Sequence, residues 1–161
     1  MQATRHARLL VGALILLLPG IAAAQAQFGI VNNVGLSFGS LGTSASAGTA
    51  VLDPATGVVT VTGGVVNLGG THTAASFTIT VPPPGNASYM FTLPSSPVTL
   101  SGPGSATMFI DPFTSKPPCP SSTCSGKGRN DILTVGGTLH VSANQAQGSY
   151  SGSFIVIANR P

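Results

Sequence analysis

The chain has 161 residues, no tryptophan and only 6% charged residues. Soluble proteins average about 25% charged residues, and a chain with so few cannot solvate the outer faces of long exposed helices. Low charge together with many β-forming residues also argues against intrinsic disorder. The length is that of one domain with a sizeable core.

The N-terminus has the parts of a secretory signal peptide. Arg5 and Arg8 form a positive start, residues 9–18 are an apolar run, and Ala24 and Ala26 offer the small residues that a signal peptidase needs. The apolar run is shorter than the ~20 residues that span a bilayer. We therefore predict cleavage after Ala24 or Ala26 and export to the periplasm, the cell surface or the medium.

Removal of residues 1–26 leaves one domain, residues 27–161, that is nearly neutral. Four basic residues and three aspartates remain in it. Such a surface gives no reason to expect a nucleic acid or an anionic membrane as a partner. We expect no membrane span in the mature chain.

Short alternating segments separated by glycine and proline run through the mature chain. Alternation of apolar and polar side chains is typical of strands with one buried face. The sequence Asp53-Pro-Ala-Thr-Gly57 predicts a hairpin turn, and Asp111-Pro112 is expected to end a strand. Before the cysteines, the predicted strands are residues 34–38, 49–53, 57–62, 65–68, 75–81, 89–93, 98–100 and 108–110.

The two cysteines, Cys119 and Cys124, lie in a long predicted loop over residues 113–130. In an oxidising compartment the default for such a pair is a disulfide that closes a small loop. A metal site would need further ligands, and the histidines are distant in sequence. We predict a disulfide that stiffens the loop.

The end of the chain carries the strongest alternating pattern. Residues 132–143 and residues 148–159 form two arms around a short polar turn, and we predict that they pair as a hairpin. Ile155 and Ile157 are apolar on the outer face of the second arm, so its strand should be covered by loops or by a neighbour. The inward side chains are predicted to be Leu133, Val135, Leu139, Val141, Tyr150, Phe154 and Val156.

The strand pattern predicts an all-β fold of about 8–10 short antiparallel strands, either a sandwich or a barrel. An immunoglobulin-like sandwich is favoured, because an open sheet with this much apolar alternation needs a partner sheet. No constellation of side chains indicates catalysis. Asp53 and Asp111 precede prolines, as turn-forming aspartates do, and Asp131 begins a strand. His72 falls in a Gly/Thr loop and His140 should face solvent. We expect no enzyme activity, no cofactor and no metal site.

Several phrases of the mature chain occur in the order and spacing of a known bacterial family. They are Leu36-Ser-Phe-Gly39, Gly48-Thr-Ala-Val-Leu-Asp-Pro-Ala-Thr-Gly57, Ala75-Ser-Phe-Thr-Ile-Thr80, Tyr89-Met-Phe-Thr-Leu-Pro94, Val135-Gly-Gly-Thr-Leu139 and Gly148-Ser-Tyr-Ser-Gly-Ser-Phe-Ile-Val156. With them the chain resembles the DUF4402 family of small exported proteins. The resemblance implies a fimbria-like or surface-associated protein without established catalytic residues.

A looser likeness connects the chain to pilins that a chaperone and an usher assemble. Gly148 stands fourteenth from the end, as in those pilins, but Arg160 occupies the position of their aromatic residue. The likeness implies a pilin-like sandwich and assembly by strand addition. The candidate strand-exchange segment is marked by Phe28, Ile30 and Val34; alternatively, it is the first strand of its own sheet.

These observations favour an exported, non-enzymatic structural or surface protein, a subunit of a fimbria-like assembly. Its expected partners are other copies or other surface subunits, joined by strand addition. The alternative is a monomeric secreted binding module, adhesin-like or lectin-like, with residues 116–129 as a contact loop.

Overall fold

The computed structural model describes residues 27–82, 88–118, 123–127 and 130–160. The predicted signal peptide therefore lies outside the described residues. The described chain contains twelve strands and one 3₁₀ turn, Pro103–Ser105. The strands are β1 Gly29–Val34, β2 Ser37–Gly42, β3 Gly48–Leu52, β4 Val59–Gly63, β5 Val66–Thr73, β6 Ala75–Thr80, β7 Ser88–Thr92, β8 Val98–Ser101, β9 Thr107–Lys116, β10 Thr123–Lys127, β11 Asp131–Val141 and β12 Ile157–Asn159.

A seven-stranded antiparallel sheet is built around β11. Val135 pairs with Ala75 of β6 and with Ser115 of β9, so these two strands lie on opposite sides of β11. Further along, β3 takes the place of β6 on the same side. The outer strands are β1, paired with β6; β4, paired with β3; and β8, paired with β9.

Gly136 marks the point where β6 gives way to β3 along β11. A Cβ atom at this position would collide with the Leu52 carbonyl oxygen at the end of β3. Only a glycine lets the two backbones approach this closely. Gly136 and Gly137 interrupt the alternating pattern of β11. Gly136 there allows the partner strand to change from β6 to β3.

The sheet of β10, β7 and β12 supplies the second layer of a sandwich-like fold, and β2 and β5 form a separate two-stranded sheet. Tyr89 and Phe91 of β7 are fully buried and share one core with the inward side chains of the large sheet. Tyr89 also donates a hydrogen bond to Asp131 Oδ2 at 2.6 Å, which ties β7 to the start of β11. The all-β sandwich architecture predicted from the sequence is confirmed.

The predicted hairpin between the last two arms is wrong. β11 pairs with β6 and β3 on one side and with β9 on the other, which leaves little of its edge for the second arm. The second arm instead makes an isolated bridge from Ser151 to Ser101 and ends in β12, which pairs with β7. The alternation of the arm is nevertheless present, because Phe154 and Val156 pack on the core while Ile155 is 74% exposed.

Several strand boundaries also differ from the prediction. β9 does not end at Asp111-Pro112: the two residues form a bulge opposite Thr138, where a proline costs no ladder hydrogen bond. The predicted strand 34–38 is divided between β1 and β2, and the predicted piece 65–68 is the beginning of β5. The predicted long loop is shortened by the end of β9 and by β10.

The predicted hairpin over residues 49–62 is confirmed, and its strands pair from Gly48 to Gly63. Asp53 Oδ1 accepts hydrogen bonds from the backbone N–H groups of Ala55 and Thr56 at 2.7 and 2.9 Å, and Gly57 adopts a positive φ of 71°. The backbone hydrogen bond from Thr56, followed by that from Ala55, lowers the pKa of Asp53 because both stabilise its charged form. The role of this aspartate is to shape a turn.

In the described part of the chain, no helix is long and apolar enough to cross a membrane.

Candidate functional site

A groove of about 820 Å³ with an apolar floor lies on the core side of the large sheet. Its floor consists of side chains at alternate positions of several strands, as expected for the face of a sheet. These are Ala75 and Phe77 of β6, Val98 and Leu100 of β8, Met108 and Ile110 of β9, and Leu139 of β11. Ala75, Phe77, Ile110 and Leu139 are buried, and the other three floor residues are partly buried, so the floor of the groove belongs to the core.

The two walls of the groove differ from its floor because consecutive residues line them. One wall is residues 35–43, which include β2, and the other is residues 146–154. β2 pairs with β5 alone, and in residues 148–154 only Ser151 exchanges backbone hydrogen bonds, with Ser101. Within the described residues, each wall therefore has a main-chain edge without a strand partner.

Polar contacts around Gln145 and Tyr150 hold the second wall in place. Gln145 is buried, and its Nε2 donates to Thr107 O at 3.2 Å and to Tyr150 Oη at 2.7 Å. Tyr150 Oη in turn donates to Ala146 O at 2.7 Å. The Tyr150 ring covers Gly102, where a Cβ atom would collide with it. These contacts fasten the wall to β8 and β9 without a strand ladder.

Phe154 anchors the far end of the same wall in the core. Its ring centroid lies 4.9 Å from that of Phe113, with the ring planes tilted by 39°. It lies 6.3 Å from that of Phe77, in the edge-to-face arrangement that aromatic pairs prefer. The segment between Ser151 and β12 is thus held by side chains. Its backbone remains available for a further strand.

The first wall is held by β5 and by contacts around His72. A Cβ atom on Gly39, which has a φ of 68°, would come within 2.6 Å of His72 Cδ2. His72 Nε2 is buried and has no hydrogen-bond partner among the described residues. The prediction that His72 lies in a loop is wrong, because it belongs to β5 opposite Phe38.

The predicted strand-exchange segment is β1 with the residue before it. Phe28 and Ile30 are partly buried against the core, and Val34 is 45% exposed. β1 pairs with β6 of its own chain, with a register irregularity between Asn32 and Val34. Among the described strands, β1 is an edge strand that pairs with β6 alone.

The predicted disulfide cannot be placed in the fold, because Cys119 lies outside the described residues. Cys124 belongs to β10, in register with Phe91. The disulfide stays a prediction.

The three aspartates are distributed over separate parts of the structure. Asp53 shapes a turn, Asp111 lies in the bulge of β9, and Asp131 accepts the hydrogen bond of Tyr89. Burial of the Tyr89 side chain, reinforced by its hydrogen bond to Asp131, raises the pKa of the phenol above its ordinary range.

Among the described residues, no group of three His, Cys, Asp or Glu side chains could hold a metal ion.

Sequence reasoning did not identify the groove. Its walls contain many glycine and serine residues, within residues 35–43 and 148–153, and such residues are also typical of loops. The sequence signal that could reveal the groove is the position of these glycine- and serine-containing segments beside strongly apolar strands. Small residues there leave space above the core that larger side chains would fill.

Comparison with known proteins identifies a family. No curated protein and no solved structure matches the chain. A family model described as "Domain of unknown function (DUF4402)" matches residues 28–159, which is nearly all of the predicted mature domain. The chain therefore belongs to the DUF4402 family.

Proposed function

We propose that the protein is an exported, non-enzymatic subunit of a fimbria-like assembly, in which the groove receives an extended segment of a neighbouring copy. The observation that supports this function is the groove itself, with an apolar floor between two main-chain edges that have no strand partner within the described residues. Strand addition uses both features: main-chain hydrogen bonds give affinity, and pockets for alternate side chains give specificity.

The proposed donor is the segment that contains β1. Phe28 and Ile30 occupy alternate positions and already pack on apolar surface in their own chain. An edge strand bonded to one neighbour is easier to detach than a central strand. In the assembly, the segment would leave β6 of its own chain and pair with a groove wall of the next copy.

The groove is tested with a matched pair of methionine variants of the mature protein. Met108 lies on the groove floor, whereas Met90 is 38% exposed on β7, outside the groove lining. Size-exclusion chromatography and negative-stain microscopy are applied to protein from periplasm and culture supernatant. We expect linear oligomers for the wild type and for Met90→Asp, and monomers for Met108→Asp. Circular dichroism checks that both variants are folded.

The donor is tested separately with a variant that carries Phe28→Asp and Ile30→Asp. Loss of assembly with a retained fold supports the donor segment. If this variant assembles normally and Met108→Asp does not, the groove is correct and the donor is a different segment. Normal assembly of a folded Met108→Asp variant, or a wild type that stays monomeric beside its co-expressed genomic neighbours, would rule out assembly through the groove.

A further inference from the structure

The outer face of the large sheet carries an aromatic pair that takes no part in the groove. Phe109 of β9 and His140 of β11 are direct cross-strand neighbours, and their rings stack with centroids 4.4 Å apart and an angle of 12° between the planes. Phe109 is 42% exposed. His140 faces outward, as the sequence predicts, but the stacking half-buries it.

Hydroxyl groups continue the row of this pair across the sheet. Thr49 pairs with His140, Thr62 pairs with Thr49, and on the other side Thr99 pairs with Phe109. The row therefore crosses five strands, and an exposed apolar ring lies in line with three threonines. Aligned side chains of neighbouring strands are close enough to contact one ligand together.

Hydrogen bonds fix the pair before any ligand binds. His140 Nε2 lies 2.6 Å from the Asp111 carbonyl oxygen. Because a carbonyl oxygen only accepts, Nε2 carries the proton, and Nδ1 of the neutral ring is an acceptor. The hydroxyls of Thr49 and Thr62 are 2.7 Å apart and share a hydrogen bond. A site ordered in this way loses little entropy when a ligand binds.

A shallow depression of about 380 Å³ lies beside the pair, within the size range of small-molecule sites. None of the described residues that line it is an acid, a lysine or an arginine, so its lining offers a charged ligand no opposite charge. The lining residues are Ala47, Gly48, Thr49, Phe109, His140, Val141 and Ser142.

We propose that this face binds a neutral carbohydrate, with the apolar side of one sugar ring on Phe109. The face of an aromatic ring is electron-rich and attracts the C–H groups of a sugar. Hydroxyls of the same sugar then reach the cross-strand neighbours of Phe109, Thr99 and His140 Nδ1, whereas Thr49 lies two strands from Phe109 and is in reach of a second sugar unit. A fully apolar ligand would bury these polar groups without partners, at a cost in affinity. The site is on the opposite side of the sheet from the groove, so binding does not depend on assembly.

The test is an NMR titration of the mature protein with three neutral glycosides: methyl β-D-glucoside, methyl β-D-galactoside and methyl α-D-mannoside. Sorbitol is the control ligand because it has the hydroxyls without a ring. We expect at least one glycoside to shift the resonances of Phe109 and His140, and sorbitol to leave them unchanged.

Two variants assign the binding to the ring. Phe109→Leu keeps an apolar side chain but removes the aromatic face, and we expect its affinity to fall at least about tenfold. Ile132→Ala, at a position 50% exposed in another row of the same face, should bind like the wild type. The proposal is wrong if none of the three glycosides shifts these resonances, if sorbitol shifts them equally, or if Phe109→Leu binds as tightly as the wild type.

Discussion

The two C-terminal arms have similar sequence patterns and different structures. In β11, alternate side chains such as Leu133 and Val135 are fully buried, and the backbone has strands on both sides. In residues 148–156, alternate side chains are only partly buried, and the backbone makes a single bridge. Alternation thus determines which side chains face the core, but it leaves open whether the backbone finds a strand partner.

The largest expected difference between the arms concerns their glycines. Gly136→Ala places a Cβ atom against the Leu52 carbonyl oxygen between two fixed strands, and we expect a loss of about 4 kcal/mol in unfolding free energy or a failure to fold. In Gly152→Ala, the added Cβ atom would lie 2.7 Å from Thr99 O and 2.8 Å from Leu100 Cδ2. This segment can shift, so the loss in unfolding free energy should be smaller. Urea denaturation measures both.

The control for this pair is Gly35→Ala, where the added Cβ atom has no neighbour within 4 Å. It should unfold at nearly the wild-type urea concentration. An equal loss for Gly136→Ala and Gly152→Ala would mean that the second arm is as firmly held as β11.

Valine truncations compare the packing of the arms. Val135 is fully buried, and Val135→Ala should cost about 2 kcal/mol because it leaves a cavity in the core. Val156 is partly buried, and Val156→Ala should cost about 1 kcal/mol or less. The same denaturation experiment applies, and the reverse order of the two losses would contradict the difference in burial.

The polar contacts that hold the two arms are compared by removing one tyrosine hydroxyl from each. Tyr89→Phe removes the only hydrogen bond that the buried hydroxyl donates in the described structure, to Asp131, and should cost about 2 kcal/mol. Tyr150→Phe should cost about 1 kcal/mol or less, because Gln145 keeps its bond to Thr107 O. Thermal unfolding monitored by circular dichroism would detect the difference.

The Tyr89 anchor also predicts a pH dependence. The folded pKa of Tyr89 is raised, so its contribution to stability is fully present below the unfolded pKa, about 10. The contribution is lost as the pH rises from there through the folded pKa. The stability difference between the wild type and Tyr89→Phe should therefore shrink in alkali, and a difference that grows above pH ~10 would contradict the assignment.

The sequence predicted the fold class, the Asp53 turn and the inward side chains because each depends on local pattern. It did not predict the partners of the last arm, since pairing depends on which edges other strands have already occupied. It also did not reveal the groove, which is space left by glycine and serine, or the Phe109–His140 stack. That stack joins residues far apart in the sequence through the register of β9 and β11.

The most direct test of the proposed function is hydrogen–deuterium exchange of the mature variant with Phe28→Asp and Ile30→Asp, which is expected to stay monomeric, in the presence of a synthetic peptide of residues 27–34. We expect the amides of residues 149–154 other than Ser151, which is bonded to Ser101, to exchange rapidly in the free protein and to become protected when the peptide binds. A peptide with aspartate in place of Phe28 and Ile30 should give no protection. Protection confined to β6 would show that the peptide only replaces β1, and no protection in either groove wall would contradict strand addition into the groove.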